Sequence, residues 1–161
     1  MIRVTNLQKF FGDQLLFNDV NLTIGEGEKI GLIGRNGSGK STFLKMLLER
    51  DDSKGGEIEC HPSVVIRSLE QNLDFGAPTV LAQVCSALPA DSVHEEWRAK
   101  ASLMGLGFEE FDFDRPPFEF SSGFKIRIRL AETLVSDSHL LLLDEPTNYL
   151  DIVSLRWLEH F

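Results

Sequence analysis

The sequence predicts an α/β fold: a mostly parallel core sheet, an antiparallel β-subdomain drawn from the first third of the chain, and a small helical subdomain around residues 76–135. Three observations predict it. Short β-branched runs fill the first third. An apolar strand pattern at Lys29–Ile33 runs into a glycine-rich loop and then into helical periodicity. A second apolar run, Leu140–Leu143, ends in two acids, Asp144 and Glu145. Composition agrees. The chain has 161 residues, 42% hydrophobic and 25% charged, which fits one globular domain and excludes a coiled coil or a collagen-like repeat.

Taken in order, Arg3–Phe10, Gln14–Phe17 and Asn21–Ile24 read as strands separated by turn residues at Gly12-Asp13 and followed by Gly25-Glu26-Gly27. Lys29–Ile33 reads as a buried strand. Phe43, Met46 and Leu47 recur at helical spacing after the glycine-rich loop, and Asp51–Gly56 ends that helix. Glu57–Cys60 and Val64–Leu69 are two further strands. Pro78 and Pro89 bracket a helix over Thr79–Leu88, and Ser92–Glu95 has the spacing of a capping box opening a helix that Gly105 and Gly107 close. Phe108, Phe111, Phe113, Phe118, Phe120 and Phe124 crowd the next loop, half of the twelve phenylalanines, and read as a satellite core. Ser121-Ser122-Gly123 opens an amphipathic helix to about Val135, His139–Leu143 is a strand, and Ile152–Phe161 a final helix.

The net charge of −9 lies in one segment. Residues 1–50 carry seven basic and five acidic side chains, residues 51–120 five and fourteen, and residues 121–161 four and six. An acidic middle segment argues against direct DNA binding, which needs basic surface. No apolar run is long enough to span a bilayer and Met1–Asn6 is not the start of an export signal, so no membrane insertion is expected. Cys60 and Cys85 form no C-x-x-C pattern and His61, His94, His139 and His160 no metal-ligand spacing, which suits a reduced, cytoplasmic protein.

Chemistry concentrates at Gly34-Arg35-Asn36-Gly37-Ser38-Gly39-Lys40-Ser41-Thr42, a full P-loop pattern. Glycines let backbone N–H groups turn inward around a phosphate, and the following helix adds its N-terminal dipole. Lys40 is placed for the β- and γ-phosphates, Ser41 for Mg²⁺ and Thr42 for the α-phosphate. A buried strand ending in Asp144 sets a second Mg²⁺ ligand, a carboxylate, at the edge of the sheet. Glu145, one residue on, is free to deprotonate an attacking water.

The order of P-loop, Gln71 after a strand, Ser121-x-Gly123 at a helix start and Leu140–Asp151 resembles the ABC ATPase family over nearly the whole chain. The resemblance implies ATP and Mg²⁺ as cofactors. It places Phe11 on the adenine, Gln71 near Mg²⁺ and the attacking water, and Ser121 and Gly123 against the nucleotide of a second ATPase domain, in the same longer chain or in a dimer. Glu145-Pro146-Thr147-Asn148-Tyr149-Leu150-Asp151 is similar to the ABC-F branch, whose proteins carry two such domains and mostly act on ribosomes. The start at Met1 implies the first domain of such a protein. Three departures stand beside the resemblance. Ser122 and Phe124 replace a glycine and a glutamine of the family signature. Thr79–Gly107 is too short for the long basic arm of many ABC-F proteins. The chain is expected to end at Phe161 before the family's switch histidine, leaving an incomplete domain of poor activity. Two other readings are the ATP-binding subunit of an ABC membrane transporter and a nucleotide-binding module with little turnover.

Overall fold

A computed structural model describes all residues except 13, 51–54, 70–71 and 161, and all side chains of its strands and helices except those of Phe11 and Gln14. Two compact units make up the chain, Met1–Ile66 and Arg67–Phe161.

In the first unit, β1 (Ile2–Phe11) and β2 (Gln14–Ile24) form an antiparallel hairpin, and β3 (Glu57–Cys60) pairs antiparallel along the other edge of β1. Period-two alternation sends Ile2 and Val4 inward and Arg3 outward. Val4 faces Leu22 but Leu7 faces Val20, a one-residue shift that marks a bulge. Asn6 absorbs it at φ 49, and its amide donates to the Asn21 side chain at 2.9 Å. The bulge returns Leu7 to the buried face. Helix α1 (Lys40–Glu49) adds Phe43, Met46 and Leu47 to the unit's buried residues, spaced three and four apart. Arg50, at φ 53, caps its end through an N–H to Met46 O.

The expected strands Gln14–Phe17 and Asn21–Ile24 are one strand, because Asp19 takes up a left-handed φ of 56 within the ladder instead of turning the chain. The expected strand Lys29–Ile33 is not assigned to a strand. Ile30 and Ile33 are 54% and 96% exposed. A strand needs a neighbour on at least one edge to complete its backbone hydrogen bonds. Here β2 and β3 occupy both edges of β1, and β4 pairs with β5, so no described strand is laid against residues 29–33.

The second unit starts within β4 (Ile66–Ser68), which pairs with β5 (Leu140–Leu142). Three helices follow β4: α2 (Val80–Cys85), α3 (Glu96–Gly105) and α4 (Ser122–Val135). Thr79 caps α2 by accepting from Ala82 N–H at 3.2 Å. The capping box expected at Ser92–Glu95 is absent: Ser92 N–H and Glu95 N–H close turns onto Pro89 and Ser92 carbonyls, and α3 starts only at Glu96. A capping box occurs instead at Glu109–Asp112. Gly107, at φ 87, ends α3 in a Schellman pair, Phe108 N–H to Leu103 O and Gly107 N–H to Met104 O. Val80, Val84, Leu103, Ile128 and Leu134 anchor the core between the three helices, with Phe108 and Phe113 beneath them. The satellite core is therefore part of the main one, although Phe111 and Phe118 stay exposed. Helix α5 (Ile152–His160) closes the described chain.

Candidate functional site

The P-loop is a tight turn feeding α1. Ser38 N–H donates to Arg35 O at 3.1 Å, which places Asn36 and Gly37 at the tip, with Gly37 at φ 80. Gly39 is the N-cap of α1 at φ 94, ψ 11. A Cβ there would lie 2.8 Å from Cζ of the Phe17 ring, so both conformation and space demand glycine. No side chain caps α1 and no acid sits in its first turn. The first-turn N–H groups of Lys40, Ser41 and Thr42 thus have no intrahelical acceptor, which is the donor set an anion requires. Lys40 folds over the same loop: its Nζ donates to Gly34 O at 3.0 Å and Arg35 O at 3.2 Å. A cation held by carbonyls at the mouth of an uncapped helix fits a phosphate, which would take over those hydrogen bonds as charge-assisted ones.

In the second unit, Asp144 and Glu145 lie exposed just past β5. Glu145 has a left-handed backbone, φ 47 and ψ 48, uncommon for a side chain of this size. Asn148 fixes it twice: its Nδ2 donates to Glu145 Oε2 at 2.9 Å and its N–H to Glu145 O at 3.2 Å. Asn148 was placed by sequence in a matching motif; its hold on the Glu145 carboxylate comes from structure alone. Asp151, three residues on, caps α5 by accepting from Ser154 N–H at 2.8 Å. That bond, with Arg127 beside it, holds the Asp151 carboxyl below the usual carboxylate range.

Ser121 caps α4, its Oγ accepting from Phe124 N–H at 3.5 Å, and a Cβ on Gly123 would meet open space apart from Ser121 Oγ at 4.0 Å. Phe124, in the place of the family's glutamine, packs edge-on to Phe108 at 5.1 Å and against Phe120 at 5.9 Å. Arg115 covers Phe120 at 4.5 Å and Arg127 covers Phe124 at 4.8 Å. The altered signature is therefore part of an aromatic layer. Gln71 and the side chain of Phe11 lie outside the described residues. Among the described residues no group of three or more His, Cys, Asp or Glu side chains could hold a metal by itself. Ser41, Asp144 and Gln71 are the oxygen donors expected for Mg²⁺.

The ABC transporter family profile matches residues 17–148, from β2 to the Asn148 that holds Glu145. This chain belongs to the ABC transporter family. As an ABC domain it is 34% identical to the "Probable ATP-binding protein YheS" of Escherichia coli K12, over 99% of its own length and 30% of that protein. It is 35% identical to the "Energy-dependent translational throttle protein EttA" of the same strain, over 99% of its length and 29% of that protein. Both relatives are ABC-F proteins. The chain thus spans about 30% of the length of the curated relatives it matches. Among solved structures it is similar to a dimeric bacterial ABC transporter cassette, at 25% identity and TM-score 0.73, over 99% of this chain and 80% of that one. The "Putative ABC transporter (ATP-binding protein)" of Pyrococcus furiosus shares the fold at TM-score 0.77 and 20% identity, over 99% of this chain and 84% of that one. The P-loop fold expected from sequence is therefore present, although the expected mostly parallel core sheet is not seen among the described strands: β2, β1 and β3 pair antiparallel and β4 pairs only with β5. Among the described residues no helix is long and apolar enough to cross a membrane.

Proposed function

We propose that this chain is the ATPase domain of an ABC-F protein that acts on ribosomes in the cytoplasm. The observation that carries nucleotide binding is the start of α1: a left-handed Gly39, no side-chain cap, and Lys40 folded onto the carbonyls of its own loop. In this reading the Gly34–Thr42 backbone cradles the phosphates of ATP and Lys40 neutralises the β- and γ-oxygens. Ser41, Asp144 and Gln71 would hold Mg²⁺, which supplies charge neutralisation at the phosphates when bound. Phe11 stacks on the adenine. Glu145 orients the attacking water and takes its proton, and the hydrogen bond from Asn148 limits the carboxylate to one direction. Ser121 and Gly123 face the nucleotide of a second ABC domain, a partnership supported by the dimeric form of the similar cassette.

The ribosomal role is supported by the Glu145–Asp151 sequence and by the similarity to a protein named as a translational throttle. The similarity to transporter cassettes favours a second reading, an ATP-binding subunit docked on a permease. Two measurements test both levels. Calorimetry of Mg-ATP binding should show an affinity at least about tenfold weaker for Lys40→Ala, because charge-assisted hydrogen bonds contribute roughly 1.5–3 kcal/mol; equal affinities overturn the nucleotide site. Sedimentation of the protein from cells should place it with ribosomes in the ATP-loaded state; recovery with membranes selects the transporter reading.

A further inference from the structure

Two arginines on α4 belong to neither the P-loop nor the two acids, yet each holds a loop that the proposed reaction uses. Arg129 grips the segment that follows Gln71. Its Nε donates to Asn72 O at 2.8 Å, its Nη2 to Asp74 O, and its guanidinium lies 4.5 Å over the Phe75 ring. Its Nη1 pairs with Glu132 at 2.9 Å, and both side chains are nearly buried, 13% and 12% exposed. The other oxygen of Glu132 accepts from Gln83 Nε2 at 2.6 Å, and Gln83 Oε1 accepts from Ala77 N–H at 2.9 Å. Four residues between 72 and 77 are thus tied to α4 and α2 by one polar network. Arg127 grips the turn that follows Glu145. Its Nε donates to Tyr149 O at 3.1 Å, and its Nη1 to Asp151 Oδ2 and Leu106 O, each at 3.0 Å.

The two arginines are two positions apart, so about 200° of rotation puts them on opposite sides of the helix. A guanidinium is a rigid fork of five donors, and here each fork meets acceptors on separate stretches of chain, which one ammonium could not satisfy together. We propose that Arg127 and Arg129 make α4 a shared anchor, so that displacement of residues 72–77 is transmitted to the Tyr149–Asp151 turn through the helix that also carries Ser121. Both are positioning residues. The use of these loops in hydrolysis rests on the ATPase reading above; the anchoring does not.

Hydrogen–deuterium exchange on this chain tests it, with peptides covering 72–77 and 149–155. Without nucleotide, Arg129→Gln should speed exchange at 72–77 by about tenfold and, although the described hydrogen bonds of Arg129 reach only Asn72, Asp74 and Glu132, speed 149–155 by about twofold or more. Arg127→Gln should give the mirror image. A merely structural role would act on the touched loop alone, so a far-loop rate equal to wild type in both variants overturns the anchor. Arg129→Lys and Arg127→Lys keep the charge but lose the fork; they should show the same two-loop pattern at smaller size, and they carry the comparison where a Gln variant exchanges globally. Adding Mg-ATP should protect both loops in the wild type. Absence of protection anywhere overturns the nucleotide reading, while the nucleotide-free comparison still decides the anchor.

Discussion

Helices α1 and α4 both start on a glycine-bearing turn, and they start in opposite ways. At α1 the N-cap is Gly39 with a left-handed backbone and no capping side chain, and the nearest cation, Lys40, rests on the loop's own carbonyls. At α4 the N-cap is Ser121, which occupies one of the orphan amides itself, and the first turn is built into a layer of Phe108, Phe120 and Phe124. One helix end is left open for a ligand; the other is closed by its own side chains and fixed by its neighbours. The rest of each unit follows the same division. In the first unit the P-loop is held by one backbone turn and by Lys40 on its own carbonyls, while in the second the loops beside α4 are bound by ion pairs and arginine hydrogen bonds.

The largest expected effect comes from loosening the frame behind α4. Leu103 on α3 is fully buried against the core that α4 completes. Leu103→Ala should cost about 2–5 kcal/mol, a transfer loss plus a cavity. Both tryptophans, Trp97 and Trp157, lie in the second unit, so their fluorescence during urea unfolding reads this unit directly. A midpoint equal to wild type would mean that the helical frame is not what supports the signature end. The next effect attacks the open end. Gly39→Ala should destabilise the loop by about 1–3 kcal/mol, because it combines an unfavourable φ with overpacking against Phe17. Mg-ATP affinity should fall with it. An alanine variant that binds ATP like wild type would show that the left-handed cap is not required.

These contrasts were partly legible in the sequence. The turn of the P-loop and the uncapped helix behind it could be read because they are written in contiguous residues, and Thr79, Gly107 and Ser121 because helix ends use short-range signals. The strand at Lys29–Ile33 was misread because an apolar run says that burial is favourable, not which strand provides the partner. Ser92–Glu95 has capping-box spacing, yet the backbone there closes turns onto Pro89 and Ser92 and the helix starts later. Arg127 and Arg129 gave no functional signal at all. Their acceptors are mostly main-chain carbonyls, as far as 57 residues away in sequence for Asn72, and a carbonyl has no residue type to recognise. On an amphipathic helix such arginines read as an ordinary polar face.

Ser121→Ala sharpens the comparison by giving α4 the same uncapped start as α1. Loss of an N-cap costs about 0.5–2 kcal/mol, and the Ser121 bond to Phe124 N–H is long at 3.5 Å, so the low end of that range is expected. Tryptophan-detected unfolding should shift by about 0.5 kcal/mol. A loss of 2 kcal/mol or more would show that the hydroxyl does more in the folded unit than cap the helix.

The smallest expected effect separates charge from capping at the far side of α4. Asp151 is held below the usual carboxylate range first by the Ser154 N–H and then by Arg127. A carboxyl whose native pKa is lowered adds stability that is fully present above the unfolded-state value, near 3.9, and is lost as pH falls through the lower native value. The side chain is 53% exposed, so water and salt screen the pair and the contribution is small. Asp151→Asn removes the charge but keeps a cap, since asparagine also accepts the Ser154 N–H, so the gap reads the charge-dependent part of the Ser154 and Arg127 contacts together. The thermal midpoint of the wild type should exceed that of the variant at pH 7, and the gap should close on acidification below about pH 4. Added salt at pH 7 should narrow it as well. Curves that stay parallel from neutral pH into the acid range would mean that Arg127 holds this turn through the Tyr149 carbonyl alone, and that the link between α4 and the turn is neutral hydrogen bonding and not an ion pair.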